Sequence, residues 1–189
     1  ITRDQPRVIL EAVAPHLNRA QGMDDLEFVF EPEDSPLAFE DLVGLFTSNA
    51  FNGNIASLTL KEGALLYSLP GRLSAKKVVE IGRYKSGSTL FLAAGMMGKG
   101  TLWSVDIGRK EARLMNSRRP FDDQAKDRFA ALGLNNVQFV IGNSAEIQLE
   151  TDGQLDLIFV DGDHSYEGVR ADFENFHPAL RVGGQMLFH

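Results

Sequence analysis

Residues Lys77-Val-Val-Glu-Ile-Gly82 form a short apolar run that ends in a glycine, and Arg83-Tyr-Lys-Ser-Gly87 follows it. A helical pattern then extends over residues 87–97. An apolar strand that passes through a glycine turn into a helix is typical of α/β proteins. Small residues in such a turn let backbone N–H groups approach a ligand, and the helix N-terminus favours negative charge. This stretch therefore predicts the first strand of a parallel sheet and a ligand-binding loop.

Short apolar strands alternate with helical patterns along the rest of the chain. We predict strands at 77–81, 101–105, 137–141, 155–160 and 184–188, and helices at 87–97, 123–132, 145–149 and 165–177. The last helix is indicated by the spacing of Tyr166, Val169, Phe173 and Phe176. Strands joined by helices imply right-handed crossovers and a mainly parallel sheet. Because strands such as residues 157–160 are apolar on both faces, helices should cover both faces. The predicted architecture is a Rossmann-like α/β fold.

Residues 1–75 show a different, mainly helical pattern. Apolar spacing predicts helices over residues 8–17 and 37–46. A third helix should begin at Thr59, because Thr59-Leu-Lys-Glu62 has the form of a capping box, and Pro70-Gly71 should end it. We therefore divide the chain into a helical segment, 1–75, and a core, 76–189. The segment is expected to act as a lid or to form a subunit interface, which would make the protein a homo-oligomer.

The chain ends at His189, directly after the fifth predicted strand. A sheet edge left open at that point is a liability for an isolated domain. We therefore expect further C-terminal strands that this sequence does not include.

Charge and composition exclude several classes of function. The net charge of −7 argues against a nucleic-acid backbone as the main partner. The longest strongly apolar run, residues 90–97, is far shorter than a membrane-spanning helix. The chain has no cysteine, which excludes disulfides and thiolate metal sites and fits a reducing compartment. We expect a cytoplasmic protein that binds neither nucleic acid nor membranes.

Two carboxylates help to select the ligand of the glycine loop. Glu80 lies near the carboxyl end of the first strand, where it would repel a pyrophosphate and attract a cation; its alternative role is to cap N–H groups of its own loop. Asp106 follows the second strand and could accept both ribose hydroxyls of a nucleoside, or simply cap a helix. A nicotinamide site is expected to carry Gly-x-Gly-x-x-Gly, whereas here four residues separate Gly82 from Gly87. The loop therefore favours a cationic nucleoside ligand.

These motifs, with Ile141-Gly-Asn-Ser144, Asp161-Gly-Asp-His164 and Leu180-Arg-Val-Gly-Gly184, come in the order found in class I S-adenosylmethionine (SAM)-dependent methyltransferases. Residues 59–189 resemble the branch that includes catechol O-methyltransferase and metal-dependent sugar O-methyltransferases. The resemblance implies that SAM is bound by residues at the carboxyl ends of the first four predicted strands and in the loops that follow them. Its methionine portion would lie beside Glu80, Gly82, Tyr84, Gly87 and Ser88, its ribose beside Asp106, and its adenine beside Asn143 and Ser144, with Asp161 nearby.

The segment Asp161-Gly-Asp163-His164 follows the fourth strand, where ligands of open α/β sheets bind. Its side chains could supply oxygen ligands for Mg²⁺ and a general base. The resemblance implies that Asp161 is a metal ligand or base, and His189 takes the place of a second ligand. A histidine there would suit a softer divalent metal. Alternatively, Asp163 caps the following helix and His164 has only a structural role.

The predicted function is methyl transfer from SAM to a hydroxyl oxygen of a small molecule, with Asp161 and His164 as catalytic residues. The sequence leaves two alternatives open. The first is a nicotinamide-dependent oxidoreductase or epimerase, against which Glu80, the glycine spacing and the lack of a Tyr-x-x-x-Lys pair all argue. The second is a SAM-binding domain without catalytic activity, which fold analogy cannot exclude.

Overall fold

The computed structural model describes residues 18–19, 28–29, 37–42, 57–108, 121–151 and 154–189. The strands are β1 (Asn18–Arg19), β2 (Phe28–Val29), β3 (Lys77–Ile81), β4 (Thr101–Asp106), β5 (Val137–Ile141), β6 (Leu155–Val160) and β7 (Leu180–Phe188). The helices are α1 (Phe39–Leu42), α2 (Leu60–Arg72), α3 (Gly87–Gly95), α4 (Phe121–Ala131) and α5 (Tyr166–Phe176), and a 3₁₀ turn follows at His177–Ala179. The helix predicted over residues 8–17 lies outside the described residues.

The main sheet has five parallel strands in the order β5-β4-β3-β6-β7. The chain runs outward from β3 through β4 to β5, and then returns to pair β6 with the other side of β3. The loops that leave β3 and β6 begin side by side and then lead to helices on opposite faces of the sheet, an arrangement in which ligands bind beyond the carboxyl ends of the strands. The predicted Rossmann-like parallel sheet is confirmed, and it places the ligand-binding crevice between β3 and β6.

Alternating side chains of the strands face two separate apolar layers. On one face, Val78, Leu102 and Leu157 are fully buried against a cluster to which α2, α3 and α4 contribute. On the other face, Val79 and Ile158 are fully buried in a cluster that includes Phe176 of α5. Helices therefore cover both faces of the sheet, as predicted, and α2 belongs to the same layer as the core helices.

The helices α2 and α3 pack closely at Gly95. A Cβ atom added at Gly95 would overlap the carbonyl group of Tyr67, so the two backbones touch.

The predicted capping box starts α2: the Thr59 side chain accepts from Glu62 N–H, and the Glu62 carboxylate accepts from Thr59 N–H. The predicted stop at Pro70-Gly71 is wrong by a short distance, because Pro70 lies inside the last turn and α2 continues to Arg72. Among the described residues, no helix is long and apolar enough to cross a membrane.

Two element predictions in the core need correction. The helix predicted at 145–149 is a turn at residues 144–146, because the Asn143 side chain accepts a hydrogen bond from Ala145 N–H and competes with helical bonding. The last strand begins at Leu180 rather than at residue 184. A glycine pair with Gly183 at φ +79° sits within the strand, beside an irregularity in its pairing with β6.

The predicted helix at 165–177 is α5, but its buried face differs from the apolar stripe that indicated it. Tyr166 is 75% exposed and Phe173 is 42% exposed, and Phe173 stacks on His177 at a centroid distance of 4.6 Å. Phe176 is the one residue of that stripe that is buried, and Asp172 is buried as well. A carboxylate thus occupies an inward position of α5 that hydrophobic periodicity does not indicate.

Candidate functional site

A cavity of about 1110 Å³ opens at the carboxyl edge of β3, β4, β5 and β6. This is the size range of cofactor and small-ligand sites. The loops that follow these four strands supply most of its walls, and two residues that precede α2 complete one side. Its lining includes Ser57, Leu58, Gly82, Arg83, Tyr84, Gly87, Ser88, Asp106, Asn143, Ser144, Asp161 and His164.

Gly82 lies at the point where the loops after β3 and β6 touch. Its φ of +83° favours glycine, and its N–H donates to Val105 O at 2.8 Å. An added Cβ atom would overlap the carbonyl oxygen of Asp161 and would lie 2.7 Å from Gly162 Cα. Only glycine therefore allows this approach of the two loops.

The loop continues through a strained backbone. Tyr84 and Ser86 have φ values of +45° and +67°, which is unusual for residues with side chains and points to a functional constraint. Tyr84 is about half exposed at the cavity wall, and the Lys85 ammonium lies 5.0 Å from its ring centroid. Gly87 and Ser88 then begin α3 and line the cavity with the helix N-terminus.

Asp106, at the end of β4, accepts hydrogen bonds from the loop after β3 and from the loop after β4. Its Oδ2 accepts from the N–H groups of Arg83 and Tyr84, each at 3.1 Å, and its Oδ1 accepts from Gly108 N–H at 2.9 Å. Because an ionised carboxylate has about four acceptor positions, these bonds leave capacity for a ligand hydroxyl. The carboxylate is partly exposed and lines the cavity, at the place where the sequence predicts ribose binding.

Glu80 lies behind the cavity wall. Its carboxylate is fully buried and accepts from the hydroxyls of Ser88 at 2.5 Å, Thr89 at 2.6 Å and Ser104 at 2.6 Å. Burial raises the pKa of Glu80 above its ordinary value, although the three hydroxyls and the nearby Arg83 charge oppose that shift. Since strand residues alternate in direction, Glu80 points towards α3, as Val78 does, and it is absent from the residues that line the cavity.

Arg83 is a structural element of the site that the sequence did not single out. Its side chain is almost fully buried, and its Nη1 donates to Ser104 O at 2.7 Å and to Val140 O at 2.9 Å. The guanidinium also lies 5.5 Å from the ring centroid of Phe139. Arg83 therefore ties the glycine loop to the carboxyl ends of β4 and β5. Nothing in the sequence marks this role, because an arginine in a loop is usually exposed.

Asn143 and Ser144 follow β5 and line the wall of the cavity that the loop after this strand forms. The Asn143 side chain accepts from Ala145 N–H at 3.1 Å and donates to Glu146 Oε1 at 3.0 Å, which fixes the turn. Ser144 is partly buried, and its carbonyl accepts from the Asn175 side chain at 2.6 Å. Both residues line the cavity, at the loop where the sequence predicts that the adenine lies.

Asp161, His164 and His189 come together beyond β6 and β7. Asp161 Oδ1 lies 3.0 Å from His189 Nδ1 and 3.3 Å from His164 Nε2. Burial raises the pKa of Asp161, and the two imidazoles only partly offset this shift. One potential ligand atom from each of the three residues lies within 4.8 Å of the others. The other nitrogen of His189, Nε2, lies 3.7 Å from Glu62 Oε1.

Asp163 contributes to the start of α5 rather than to this cluster. Its Oδ1 accepts from Ser165 N–H at 2.9 Å, and Ser165 in turn caps α5 by accepting from Gly168 N–H. The hydrogen bond from the Ser165 backbone holds the pKa of Asp163 below its ordinary value. Asp163 therefore has the structural role that the sequence left open as an alternative.

Among the described residues that line the cavity, the charged side chains are mainly negative. Asp106, Asp123, Asp161 and Asp163 line it, against the ammonium of Lys126 and the buried guanidinium of Arg83. Such a lining attracts a cationic ligand and repels a pyrophosphate.

Comparisons with known proteins agree on a family. Residues 79–189 match the family model described as "Methyltransferase domain". A protein of Mycobacterium sp. (strain JLS) named "Putative O-methyltransferase" is 27% identical over 172 residues, covering 86% of this chain and 70% of that protein.

Solved structures share the fold. The O-methyltransferase TomG from Streptomyces achromogenes, in complex with SAM, aligns with a TM-score of 0.58 at 20% identity, covering 86% of this chain and 67% of that chain. An O-methyltransferase from Bacillus cereus in complex with SAH aligns with a TM-score of 0.53 at 21% identity, covering 91% and 70%. At 20% and 21% sequence identity, these similarities establish a shared fold.

Proposed function

The chain belongs to the methyltransferase-domain family, and we propose that it transfers the methyl group of SAM to a hydroxyl oxygen of a small molecule. The family match covers more than half of the chain and confirms the resemblance to class I methyltransferases. Two relatives support the finer assignment. The Mycobacterium protein is named as an O-methyltransferase, which supports an oxygen acceptor, and the Streptomyces enzyme was solved in complex with SAM, which supports that cofactor.

The observation that carries this proposal is the carboxylate-lined cavity at the crevice between β3 and β6. SAM carries a sulfonium and an ammonium, which fit the negative lining, whereas the pyrophosphate of a nicotinamide dinucleotide does not. Gly82 and Gly87 give backbone access for the methionine portion, with Tyr84 and Ser88 beside them. Asp106 would bind the ribose hydroxyls, and the wall formed by residues 143–144 would face the adenine. When bound, SAM supplies an electrophilic methyl group.

Asp161 is the proposed general base. Its raised pKa makes it a stronger base than an ordinary aspartate, and it remains at the cavity wall. Oδ1 would take the proton of the acceptor hydroxyl, while the imidazoles of His164 and His189 hold the carboxylate in place. Methyl transfer requires the deprotonated oxygen of the acceptor to be held in line with the methyl group of SAM. The contact between that oxygen and a fixed Asp161 carboxylate would favour this alignment.

In the metal-assisted form of the proposal, Asp161 would be a ligand of a divalent metal and the metal would take over the role of the base. Asp161, His164 and His189 would hold it, because their donor atoms lie within 4.8 Å of one another. One oxygen and two imidazole nitrogens suit manganese, iron, cobalt or zinc better than Mg²⁺. A metal bound there would lower the pKa of an acceptor hydroxyl.

Titration calorimetry with SAH and, in parallel, NAD⁺ tests the cofactor. We expect binding of SAH alone, and Asp106→Asn should weaken it about 10–100-fold, because hydrogen bonds to a charged group are each worth about 1.5–3 kcal/mol. Glu174→Gln is the matched control, because it removes the same charge from an exposed pair with Arg170 and should leave the affinity nearly unchanged. Binding of NAD⁺ instead of SAH would overturn the proposal, and unchanged affinity in Asp106→Asn would remove the ribose assignment.

Asp161 and the metal are tested together in a methyl-transfer assay over phenols, sugars and hydroxy acids. Asp161→Asn should lower turnover by about 10²–10⁴-fold, the usual range for a general base, and should spare SAH affinity. EDTA should inhibit the unmodified protein but lower the residual rate of Asp161→Asn much less. Full activity in EDTA would remove the metal from the proposal. SAH binding without transfer to any acceptor would favour the non-catalytic alternative.

A further inference from the structure

Helix α5 directs two polar side chains at the loop that follows β5. Asn175 donates through Nδ2 to the carbonyl of Ser144 at 2.6 Å and to that of Ile147 at 3.1 Å. These carbonyls lie on either side of the turn at residues 144–146. A single amide group therefore holds both ends of the turn against the helix.

One helical turn earlier, Asp172 is buried beneath two loops of the cavity. Only 2% of it is exposed, and the nearby Ser144 side chain partly opposes the effect of burial on the pKa of Asp172. Its Oδ2 lies 3.6 Å from the position that a Cβ atom on Gly162 would take, so it also lies beside the loop after β6. Burial raises the pKa of Asp172, and the nearby Asp163 charge acts in the same direction. A carboxylate that is costly to bury thus lies where the two loops meet α5.

The loop that these side chains hold is compact and lines the cavity. The N–H groups of Glu146 and Ile147 both donate to Asn143 O, at 3.0 and 2.9 Å. A Cβ atom on Gly142 would lie 2.8 Å from Ile147 Cδ1, so the loop folds back on itself. Gly142 N–H bonds the start of the loop to Asp106 O of β4 at 2.9 Å, and the carbonyls of Ser144 and Ile147 hold the rest of the loop against α5.

We propose that Asp172 and Asn175 are positioning residues that hold the loop of residues 142–147 against α5 and thereby set the affinity of the site for its cofactor. Neither side chain is among the residues that line the cavity, so both act through Asn143 and Ser144. The inference rests on the proposed function for the identity of the cofactor. It adds to that function two residues outside the cavity and a helix that determines the geometry of one wall.

Calorimetry with SAH on matched variants tests this role. Asp172→Ala and Asn175→Ala should each raise the Kd for SAH at least about tenfold, the equivalent of one lost hydrogen bond to a charged or geometrically fixed partner. Asp172→Asn keeps an acceptor for the Ser144 hydroxyl and should stay within about threefold of the unmodified protein. Glu174→Ala is the control, because it truncates a side chain of the same helix whose carboxylate is exposed and pairs with Arg170, and its Kd should not change.

Hydrogen exchange of the unliganded protein gives a readout that does not need the cofactor. The amides of Ala145, Glu146 and Ile147 should exchange at least about tenfold faster in Asp172→Ala and Asn175→Ala, but not in Glu174→Ala. Unchanged Kd and exchange in Asn175→Ala would overturn the inference, and so would an equal loss of affinity in Glu174→Ala. If the unmodified protein binds no SAH, the proposed function fails, whereas the exchange rates still decide whether α5 holds the loop.

Discussion

Replacing Gly82 with alanine is expected to abolish SAH binding and to lower the free energy of unfolding by about 2–5 kcal/mol. The added methyl group would overlap the carbonyl oxygen of Asp161, and overpacking of this kind costs about 1–3 kcal/mol. The left-handed backbone at φ +83° adds about 1–2 kcal/mol for any residue with a side chain. Urea denaturation and calorimetry measure the two effects.

Gly133→Ala separates the clash from the backbone conformation. Gly133 has a similar φ of +68°, but an added Cβ atom would have no neighbour within 4 Å. Its replacement should cost only about 1–2 kcal/mol and should leave SAH binding intact. If the Gly82→Ala variant were as stable as this control and still bound SAH, the contact between the loops after β3 and β6 would have no importance for the site.

Replacing Glu80 with alanine should lower the free energy of unfolding by about 3–5 kcal/mol and remove SAH binding, because removing one partner from a buried charged network is costly. Three buried hydroxyls would lose their shared acceptor, and the buried guanidinium of Arg83 would lose a nearby negative charge. Unfolding in urea, followed by circular dichroism, gives the stability, and calorimetry gives the affinity.

Glu80→Gln distinguishes an indirect role from direct contact with the cofactor. The amide keeps the size of the side chain and one carbonyl acceptor, and the neighbouring hydroxyls can rotate to accept from its NH₂ group. We expect an intermediate loss of stability and measurable SAH binding. A Glu80→Gln variant of full stability that has lost SAH binding entirely would contradict the buried role and would favour the direct contact that the sequence suggested.

The sheet was predictable because its strands are apolar on both faces and each ends at a polar or glycine residue. Three of the five strands match their predicted bounds, and β4 is one residue longer. The predicted bounds of helices and strands are wrong where local backbone chemistry overrides hydrophobic periodicity. Asn143 turns its side chain onto the backbone and prevents a helix, while Gly183 and Gly184 look like a turn but lie within β7. Neither effect is visible in hydrophobic spacing.

The site was predictable wherever a residue follows a strand at the carboxyl edge of the sheet. Gly82, Asp106, Ser144 and Asp161 all line the cavity for that reason. The direction of a side chain within a strand is harder to infer when every neighbour is buried, and Glu80 consequently points to α3. Long-range contacts such as those of Arg83 with β5 and of Asp172 with Ser144 join segments that are far apart in the chain, so no local pattern reveals them.

The backbone contact between α2 and α3 couples two walls of the cavity mechanically. Ser57 and Leu58 line one wall immediately before α2, and Gly87 and Ser88 line another at the start of α3. With Tyr67 and Gly95 in direct contact, no side chain lies between the helices at that point that could deform and absorb a displacement. The two helices should therefore move as one rigid unit. Remodelling one wall of the cavity for a bulkier acceptor should then also shift the other wall.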